Sequence, residues 1–307
     1  MADIVITEFM DEAAVASLAK AFDTLYDPKL VDQPDRLMSE IKTARALIVR
    51  NRTQVRGALL EAGAKLIAVG RLGVGLDNID MEGCGKRRIA VFPATGANDV
   101  SVAEYVMAGA LTLLRGAYGA TAEVADGSWP RTRLMGRECF GRTMGLVGFG
   151  LIARHVARRA KAFDMSILAY DPFLNDSDPA LASVDAKLVE LDKLLAHSDV
   201  VSLHVPLTKD TENLIDAKRL SGMKAGSILI NAARGGVVDE AALAAALRAG
   251  TIGGAMLDVF AKEPLPGGGP LVGVPNLILT PHIAGVTEES NVRVSTLIAE
   301  RIAGVLR

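Results

Sequence analysis

Short runs of consecutive hydrophobic residues alternate with amphipathic stretches of helical period along the whole chain. The runs that predict strands are Ile4–Ile6, Ala46–Val49, Leu66–Val69, Met144–Val147, Ile167–Tyr170, Val200–Leu203, Ser227–Ile230, Gly254–Leu257 and Leu277–Leu279. Helical patterns lie between and after them, at Val102–Leu114, Ala153–Phe163, Glu240–Ala249 and Glu288–Leu306. Continuous apolar runs are typical of strands buried on both faces, and alternating strands and helices favour parallel, doubly wound sheets. The pattern therefore predicts an α/β protein.

The order of these elements also suggests two domains. A first α/β unit ends near Thr95–Asn98, and a helix that begins near Asp99 leads into a second unit. The C-terminal helical pattern follows the last strand and can return to the first unit. We expect one domain from residues 1–98 with 286–307 and another from residues 99–285. A linear division into 1–98 and 99–307 is the alternative.

Composition and charge narrow the class of protein. The 307 residues are 50% hydrophobic and 23% charged, with a net charge of −2, which indicates a globular chain without a nucleic-acid-binding charge surplus. The longest apolar stretch, Tyr105–Leu114, is too short to span a bilayer, and the first residues resemble a strand rather than a signal peptide. We expect a cytoplasmic protein that does not bind membranes.

The cysteines and histidines give no sign of a metal site. Cys84 and Cys139 lie far apart in the sequence, and free thiols are expected in preference to a disulfide between them. The chain has four histidines, none at a spacing typical of metal ligands, so we expect no bound metal.

A glycine-rich turn follows one predicted strand and opens a predicted helix. Gly148-Phe-Gly150-Leu-Ile-Ala153 fits the pattern G-x-G-x-x-G/A. The first glycine permits a tight turn, the second lets backbone N–H groups approach a pyrophosphate, and the small third residue allows close packing of helix on strand. The turn therefore predicts a dinucleotide site; a purely structural turn is the alternative.

A carboxylate stands where such a site needs one. Asp171 follows Gly150 by 21 residues, at the end of the next predicted strand. An aspartate there accepts hydrogen bonds from the adenosine ribose and repels a 2′-phosphate, so NAD is expected rather than NADP.

Several longer segments resemble the D-2-hydroxyacid dehydrogenase family, in particular its phosphoglycerate-dehydrogenase-like branch. They are Gly70–Asp80, Gly96–Glu104, Asn231–Glu240, Leu257–Pro264 and Thr280–Gly285, and they occur in the family's order. The resemblance implies a Rossmann NAD-binding domain and a flavodoxin-like substrate domain. It also implies an NAD-dependent exchange of hydride with a small 2-hydroxy acid.

In the resembling family, three matching positions carry out catalysis. His282 corresponds to the catalytic acid–base. An imidazole suits this role because it titrates near neutral pH. Glu263 corresponds to the carboxylate that orients it. Arg234 corresponds to the cation that holds the carboxylate and carbonyl of the substrate in bidentate geometry.

The same resemblance implies the residues that surround the cofactor. Asp258 corresponds to the partner of the nicotinamide carboxamide, and Val74 and Gly75 lie near the substrate and the nicotinamide. The remaining implied cofactor positions are Gly148, Gly150, Leu151, Ile152, Ala153, Asp171, Val205, Ala232, Ala233 and Gly285.

Leu151 stands where the family often has a basic residue. His204 matches a position near the cofactor, where a structural hydrogen bond is expected, and His155 and His197 are expected at the surface or as capping residues.

The identity of the hydroxy acid depends on arginines in the first unit. Arg50, Arg52 and Arg71 end or follow two predicted strands, and strand ends face the ligand crevice in parallel sheets. If they converge, the substrate carries a second anion at C3, as 3-phosphoglycerate and 3-sulfolactate do; ordinary solvated arginines are the alternative. Because the sequence stops soon after the helix that would complete the first unit, we expect no C-terminal regulatory extension of the kind common among biosynthetic phosphoglycerate dehydrogenases. The stretches Ile6–Ala13 and Val49–Thr53 are similar to sulfolactate dehydrogenases.

Two rival functions remain open from the sequence. One is a glyoxylate or hydroxypyruvate reductase of the same fold, and the other is an NAD-sensing, corepressor-like binding protein.

The helix Ala103–Leu114 and the segment Arg115–Asp126 resemble the family's dimerisation region, so we expect a homodimer; a purely intramolecular core is the alternative. Arg131 or Arg133 is a candidate to reach a neighbouring subunit.

Overall fold

The computed structural model describes residues 2–307. Its strands are β1 Ile4–Ile6, β2 Thr24–Tyr26, β3 Ala46–Val49, β4 Ala68–Arg71, β5 Ala90–Pro93, β6 Thr143–Val147, β7 Ser166–Tyr170, β8 Ala186–Leu188, β9 Val200–Leu203, β10 Ile228–Asn231, β11 Gly254–Leu257 and β12 Leu277–Leu279. Its helices are α1 Glu12–Ala19, α2 Pro34–Glu40, α3 Gly57–Ala62, α4 Met81–Lys86, α5 Asp99–Arg115, α6 Thr121–Ala125, α7 Leu151–Ala162, α8 Pro179–Ala182, α9 Leu191–His197, α10 Ala217–Gly222, α11 Glu240–Arg248 and α12 Glu288–Leu306.

The chain forms two compact units. The first consists of the residues up to Asp99 together with Gly285–Arg307, and the second is the continuous segment Val100–Ala284. We refer to them as unit 1 and unit 2. Because α12 follows unit 2 in the chain but belongs to unit 1, unit 1 is discontinuous in sequence.

Unit 1 contains a five-stranded parallel sheet in the order β2-β1-β3-β4-β5. This is the flavodoxin order, in which the direction of winding reverses between β1 and β3. Hydrophobic residues cover both faces of the sheet. On one face α12 packs closely against β4, since a Cβ at Gly70 would stand 2.5 Å from the side chain of Ile298.

Unit 2 contains a seven-stranded parallel sheet in the order β12-β11-β10-β9-β6-β7-β8. Numbered within the unit, its first six strands have the Rossmann order 3-2-1-4-5-6, and the winding reverses between β6 and β9. One face packs on α5 and α7 through Val106, Ala110 and Val156, and the other packs on α9, α10 and α11. The predicted fold class, two doubly wound parallel sheets of flavodoxin and Rossmann type, is confirmed.

Two predicted strands are shifted by one or two residues. The strand predicted at Leu66–Val69 lies at Ala68–Arg71, because Leu66 forms a turn in which its N–H donates to the carbonyl of Gly63. The strand predicted at Ser227–Ile230 lies at Ile228–Asn231. In both strands the last residue paired with the neighbouring strand is polar, Arg71 or Asn231, so the hydrophobic pattern does not indicate that the strand extends this far.

Within the described residues 2–307, none of the helices has the length and apolar character that a membrane crossing requires.

Candidate active site

The glycine turn of unit 2 lies at the point where the winding of its sheet reverses. Gly148 has φ of 85°, donates its N–H to the carbonyl of Tyr170 at 2.7 Å, and lies against the end of β9. A Cβ at Gly148 would stand 2.7 Å from the carbonyl oxygen of His204. Both the left-handed backbone and the close approach therefore require glycine at this position.

Gly150 differs from Gly148 in what surrounds it. A Cβ at Gly150 would meet no atom within 4 Å, so packing within the protein does not demand glycine there. Gly150 is the N-cap of α7, and no side chain caps the first N–H groups of that helix. Leu151 is half exposed at the first turn, Ile152 is half-buried, and Ala153 is buried against β6. An uncovered helix N-terminus behind a bare glycine fits a pyrophosphate.

Asp171, the residue that directly follows β7, holds the glycine turn. Its Oδ2 accepts the N–H of Phe149 at 2.9 Å, and its Oδ1 accepts the N–H of Phe173 at 3.0 Å. A carboxylate has about four acceptor positions, so these two bonds leave capacity for ribose hydroxyls. The residues present thus fit a dinucleotide with an unmodified ribose.

His204 follows β9 directly. Its Nε2 is buried and has no hydrogen-bond partner among the described residues, so this nitrogen does not make the structural hydrogen bond expected for the ring. Burial lowers the pKa of His204 to about 4, which keeps the imidazole neutral. The neighbouring Val205 is half-buried beside the turn, where its side chain would meet a Cβ at Gly148. His155 is half-buried within α7, and Nδ1 of His197 contacts the carbonyl of Lys193 within α9.

A tight turn after β10 presents Arg234. The side chain of Asn231 clamps this turn, because its Oδ1 accepts the N–H of Ala233 at 3.1 Å and its Nδ2 donates to the carbonyl of Arg234 at 2.9 Å. Ala232 and Ala233 are half-buried in the turn. A Cβ at Gly235 would stand 1.8 Å from the carbonyl oxygen of Phe260, so glycine lets the turn lie directly on the loop after β11.

That loop places Glu263 beside His282. Oε2 of Glu263 lies 2.6 Å from Nδ1 of His282, and its Oε1 accepts the N–H of Phe260 at 3.0 Å. Burial raises the pKa of Glu263, but the bonds from His282 and Phe260 and the positive charge of Arg234 outweigh it, so the pKa is lowered overall. Glu263 is therefore a carboxylate at neutral pH. It fixes the imidazole with Nδ1 engaged and leaves Nε2 for a reacting group.

Asp258 organises the turn that carries His282. It is buried, and its carboxylate accepts the N–H groups of Ile283 and Ala284, both at 2.8 Å, and the hydroxyl of Thr280 at 2.6 Å. Its carbonyl accepts the N–H of His282 at 2.8 Å. His282 has φ of 55°, a conformation that non-glycine residues rarely adopt and that is often found at active sites. Three of the acceptor positions of the Asp258 carboxylate are thus occupied by hydrogen bonds from residues of the same turn.

In unit 1, Arg50 follows β3 at the reversal point of the sheet, on a loop held by buried polar groups. Glu8, at the end of β1, accepts the N–H groups of Arg50 at 2.9 Å, Arg52 at 3.2 Å and Thr53 at 3.0 Å. Nδ2 of the buried Asn78 donates to the carbonyls of Arg50 and Thr53, at 3.0 and 2.7 Å. The loop is therefore gripped through both its N–H and its C=O groups, as a rigid binding loop requires.

The three arginines of unit 1 have different surroundings. The guanidinium of Arg50 lies 5.5 Å from the ring centre of Phe9 and donates to Asn291, and burial lowers its pKa. Arg52 is more than half exposed and pairs with Asp32, as the solvated alternative anticipated. The guanidinium of Arg71 lies over Gly73, where a Cβ would be 1.4 Å from Nη1.

The remaining predicted positions of unit 1 lie in loops. Val74 and Gly75 are half-buried in the loop after β4, and the carbonyl of Gly285 accepts a hydrogen bond from the hydroxyl of Ser290 at 2.9 Å.

Among residues 2–307, no three His, Cys, Asp or Glu side chains are grouped so that they could hold a metal ion. Cys84 and Cys139 are buried free thiols.

The family model for the NAD-binding domain of D-isomer specific 2-hydroxyacid dehydrogenases matches residues 107–284 of the chain. The chain belongs to this family. It is an NAD-dependent dehydrogenase that interconverts 2-hydroxy and 2-oxo acids, and the glycine turn, the α7 N-terminus and Asp171 provide the side chains and backbone that fit its cofactor.

Individual relatives agree with this assignment. The dehydrogenase is 55% identical over its full length to the (S)-sulfolactate dehydrogenase of Chromohalobacter salexigens, of which it covers 99%. It is 42% identical over 89% of its length to the D-3-phosphoglycerate dehydrogenase of Archaeoglobus fulgidus, of which it covers 51%. Among solved structures, D-lactate dehydrogenase from Aquifex aeolicus complexed with NAD and lactic acid matches 99% of this chain and 95% of its own, with a TM-score of 0.87 and 30% identity.

Several residues that build the dehydrogenase site were not given a role by sequence reasoning. Asn231, Gly235 and Thr280 lie inside the segments that carry the family resemblance, so their position was available although their contacts were not. Glu8 lies at the C-terminal end of a predicted strand, which is where ligand-side residues of parallel sheets occur. Tyr105 lies in a helical pattern that was expected to serve dimerisation or core packing, and neither expectation points to the site.

Proposed function

We propose that this dehydrogenase oxidises (S)-3-sulfolactate to 3-sulfopyruvate and catalyses the reverse reduction. The observation that carries the proposal is the 55% identity to a sulfolactate dehydrogenase over 99% of that enzyme, whereas the identities to two phosphoglycerate dehydrogenases are 42% and 37%. The side chains of units 1 and 2 supply the chemistry that such a substrate needs.

His282 is proposed to move the substrate proton. With Nδ1 held by Glu263, its Nε2 accepts the C2 hydroxyl proton during oxidation and returns it during reduction. Glu263 stabilises the imidazolium that forms, and Arg234 binds the C1 carboxylate and the C2 oxygen as a fixed fork of donors. NAD, when bound, supplies the hydride acceptor or donor at C2.

Arg50 is proposed to recognise the second anion of the substrate. It stands at the reversal point of the unit 1 sheet, where ligands of flavodoxin-type sheets bind. The guanidinium is held between Phe9 and Asn291, and the buried Glu8–Asn78 clamp fixes the loop that carries it. Arg71, at the end of the adjacent strand, is proposed to contribute to the same recognition, and Val74 and Gly75 to line the substrate.

A direct comparison of substrates tests the proposal. NADH oxidation is measured with 3-sulfopyruvate, 3-phosphohydroxypyruvate, hydroxypyruvate and glyoxylate, and kcat/KM is compared. We expect kcat/KM for 3-sulfopyruvate to exceed that for hydroxypyruvate and glyoxylate by at least about 100-fold, because neither of these substrates offers an anion to the half-buried Arg50. A preference for 3-phosphohydroxypyruvate would assign the phosphoglycerate reaction instead, and equal rates on all four would remove the anion site.

We further propose that the dehydrogenase is a homodimer. The buried residues of α5, which include Val106 and Ala110, pack inside unit 2, so they do not supply the interface. Residues 116–140, which follow α5, expose large apolar side chains: Tyr118, Trp129, Met135 and Phe140 are each more than two-thirds exposed. Tyr118 and Phe140 also line one pocket, and exposed apolar side chains that lie together mark association surfaces. Light scattering after gel filtration tests the state, and Trp129→Glu should shift the protein towards monomer.

A cytoplasmic location is proposed on the basis of the two free thiols. Cys84 and Cys139 are buried and unpaired with each other, as is typical of proteins from a reducing compartment. Cell fractionation followed by the 3-sulfopyruvate assay tests this; activity recovered with secreted proteins would contradict it.

A further inference from the structure

A hydrogen-bond chain connects helix α5 to the catalytic turn of unit 2. The hydroxyl of Tyr105 lies 2.5 Å from Oγ1 of Thr280, and the hydroxyl of Thr280 donates to Oδ1 of Asp258 at 2.6 Å. Threonine has a single hydroxyl hydrogen. Because that hydrogen is used towards Asp258, Tyr105 must be the donor in its bond with Thr280. The chain therefore has one direction, from Tyr105 through Thr280 to Asp258.

Asp258 connects this chain to both sides of His282. Its carbonyl accepts the N–H of His282, and its carboxylate accepts the N–H groups of Ile283 and Ala284, the two residues that follow. His282 has a left-handed backbone, which must be imposed by its surroundings. Any displacement of the Asp258 carboxylate therefore moves the backbone that aims the imidazole.

We propose that Tyr105 is a positioning residue of the dehydrogenase, which acts through Thr280 and Asp258 to fix the orientation of His282. This inference rests on the acid–base role proposed above for His282. Thr280 lies between a donor and an acceptor, so its side-chain rotamer is fixed only while both partners are present. Loss of the Tyr105 hydroxyl frees Thr280 to rotate and removes one support of the Asp258 carboxylate.

The environment of Tyr105 suits this role and separates it from simple packing. Burial is the main cause that raises the pKa of Tyr105 to about 12, so the phenol keeps its proton at any pH at which the enzyme works. The ring packs against the buried cluster of Val106, Ala110 and their neighbours. Phenylalanine retains that packing and removes only the hydroxyl, so Tyr105→Phe isolates the hydrogen bond.

The test is a double-mutant cycle on the full-length enzyme. Tyr105→Phe, Thr280→Val and the double variant are compared with the wild type by kcat for 3-sulfopyruvate (or for the best substrate found above) and by the Kd for NADH. We expect each single variant to lower kcat about 10-fold, with NADH binding unchanged, because a small misplacement of a reacting group is costly. The double variant should be no worse than Thr280→Val alone, since both changes break one chain.

Two control variants complete the design. Thr280→Ser keeps the hydroxyl and should retain near-wild-type kcat, which also tests the chain if Tyr105→Phe does not fold. Ser183→Ala removes a hydroxyl from an exposed side chain that donates only locally, to the carbonyl of Ala180, and should change nothing.

The outcomes distinguish this inference from the function on which it rests. An unchanged kcat for Tyr105→Phe, a multiplicative loss in the double variant, or a loss confined to NADH affinity would overturn it. His282→Gln is measured alongside. If His282→Gln is inactive while Tyr105→Phe is unaffected, only the role of Tyr105 fails; if His282→Gln is also fully active, the proposed acid–base assignment fails.

Discussion

Oε2 of Glu263 lies 2.6 Å from Nδ1 of His282, a contact between residues from two different loops of unit 2. The carboxylate selects the tautomer of the ring and supports its charged form. A glutamine can still contact the ring but supplies no negative charge.

We therefore expect Glu263→Gln to lower kcat by about 10²-fold, with little change in the Kd for NADH. Stopped-flow reduction of 3-sulfopyruvate measures the first quantity and NADH fluorescence the second. Glu240→Gln is the matched control, because Glu240 accepts the N–H of Ala261 in the same loop but does not contact the ring. Equal losses in both variants would show that Glu263 only holds the loop.

The two glycines of the phosphate turn should fail in different ways when replaced by alanine. At Gly148 the new Cβ meets the carbonyl of His204, and the backbone is left-handed, so Gly148→Ala should lower the free energy of unfolding. At Gly150 the Cβ enters open space at the α7 N-terminus, so Gly150→Ala should fold normally and weaken NADH binding about 10-fold or more.

Thermal unfolding and NADH titration separate these two effects. Normal NADH affinity in Gly150→Ala would mean that the pyrophosphate does not approach this glycine.

Arg50 and Arg52 form a matched pair on one loop. Arg50 is the more buried of the two and is held by Phe9 and Asn291, whereas Arg52 is exposed and paired with Asp32. Arg50→Ala should lower kcat/KM for 3-sulfopyruvate by about 10²-fold but that for glyoxylate only slightly, while Arg52→Ala should change either by less than about threefold. Equal losses for both substrates in Arg50→Ala would argue against recognition of a C3 anion.

Asp199 provides a pH-dependent contribution to the stability of unit 2. Its side chain is 5% exposed, accepts from Lys224 at 2.9 Å and from Arg142 at 3.0 Å, and also accepts the N–H of Thr143. Burial raises the pKa of Asp199, but these bonds outweigh it and the pKa lies below 3.8. Asp199→Asn should therefore lower the free energy of unfolding by about 1.5–3 kcal/mol at neutral pH, because hydrogen bonds from two partly exposed cations lose their charged acceptor.

The sign of the pH effect follows from the lowered pKa. The folded state binds the proton more weakly than the unfolded state, so the contribution of Asp199 is complete above about pH 3.8 and is lost as the pH falls through the folded-state pKa. The difference between wild type and Asp199→Asn in urea unfolding should shrink over that range. Asp185→Asn is the control, since Asp185 is 84% exposed and its pair with Lys161 should contribute almost nothing.

The sequence predicted the central strands of both sheets better than their edges. The strands that it missed, β2, β5 and β8, all lie at sheet edges. β2 and β8 have three residues each and include Thr24 and the exposed Lys187, so they lack the continuous hydrophobic run by which β3 is recognised. β5 does lie in an apolar run, Ile89–Phe92, but its residues are only half-buried, and sequence reasoning did not assign it. The predicted edge strand β12 was found because Leu277–Leu279 is wholly apolar.

The residues of the candidate site also divide into those that the sequence predicted and those that it did not. Arg234, Glu263 and His282 were predicted because they lie in recognisable segments, and the structure brings Glu263 to His282. The supporting residues were not predicted, because their roles depend on contacts between distant parts of the chain. Tyr105 and Thr280 are 175 residues apart, and Glu8 and Arg50 are 42 apart. Local periodicity carries no information about such pairs.

The discontinuity of unit 1 determines the order in which the two units can form during translation. Unit 2 is one continuous segment, and all of it has been synthesised before α12 begins. Unit 1 remains without α12, and with the face of β4 at Gly70 uncovered, until the ribosome has made Glu288–Leu306. The unit that carries His282 can thus complete its fold while the unit that carries Arg50 still awaits α12, so dehydrogenase activity is acquired only after α12 has been made.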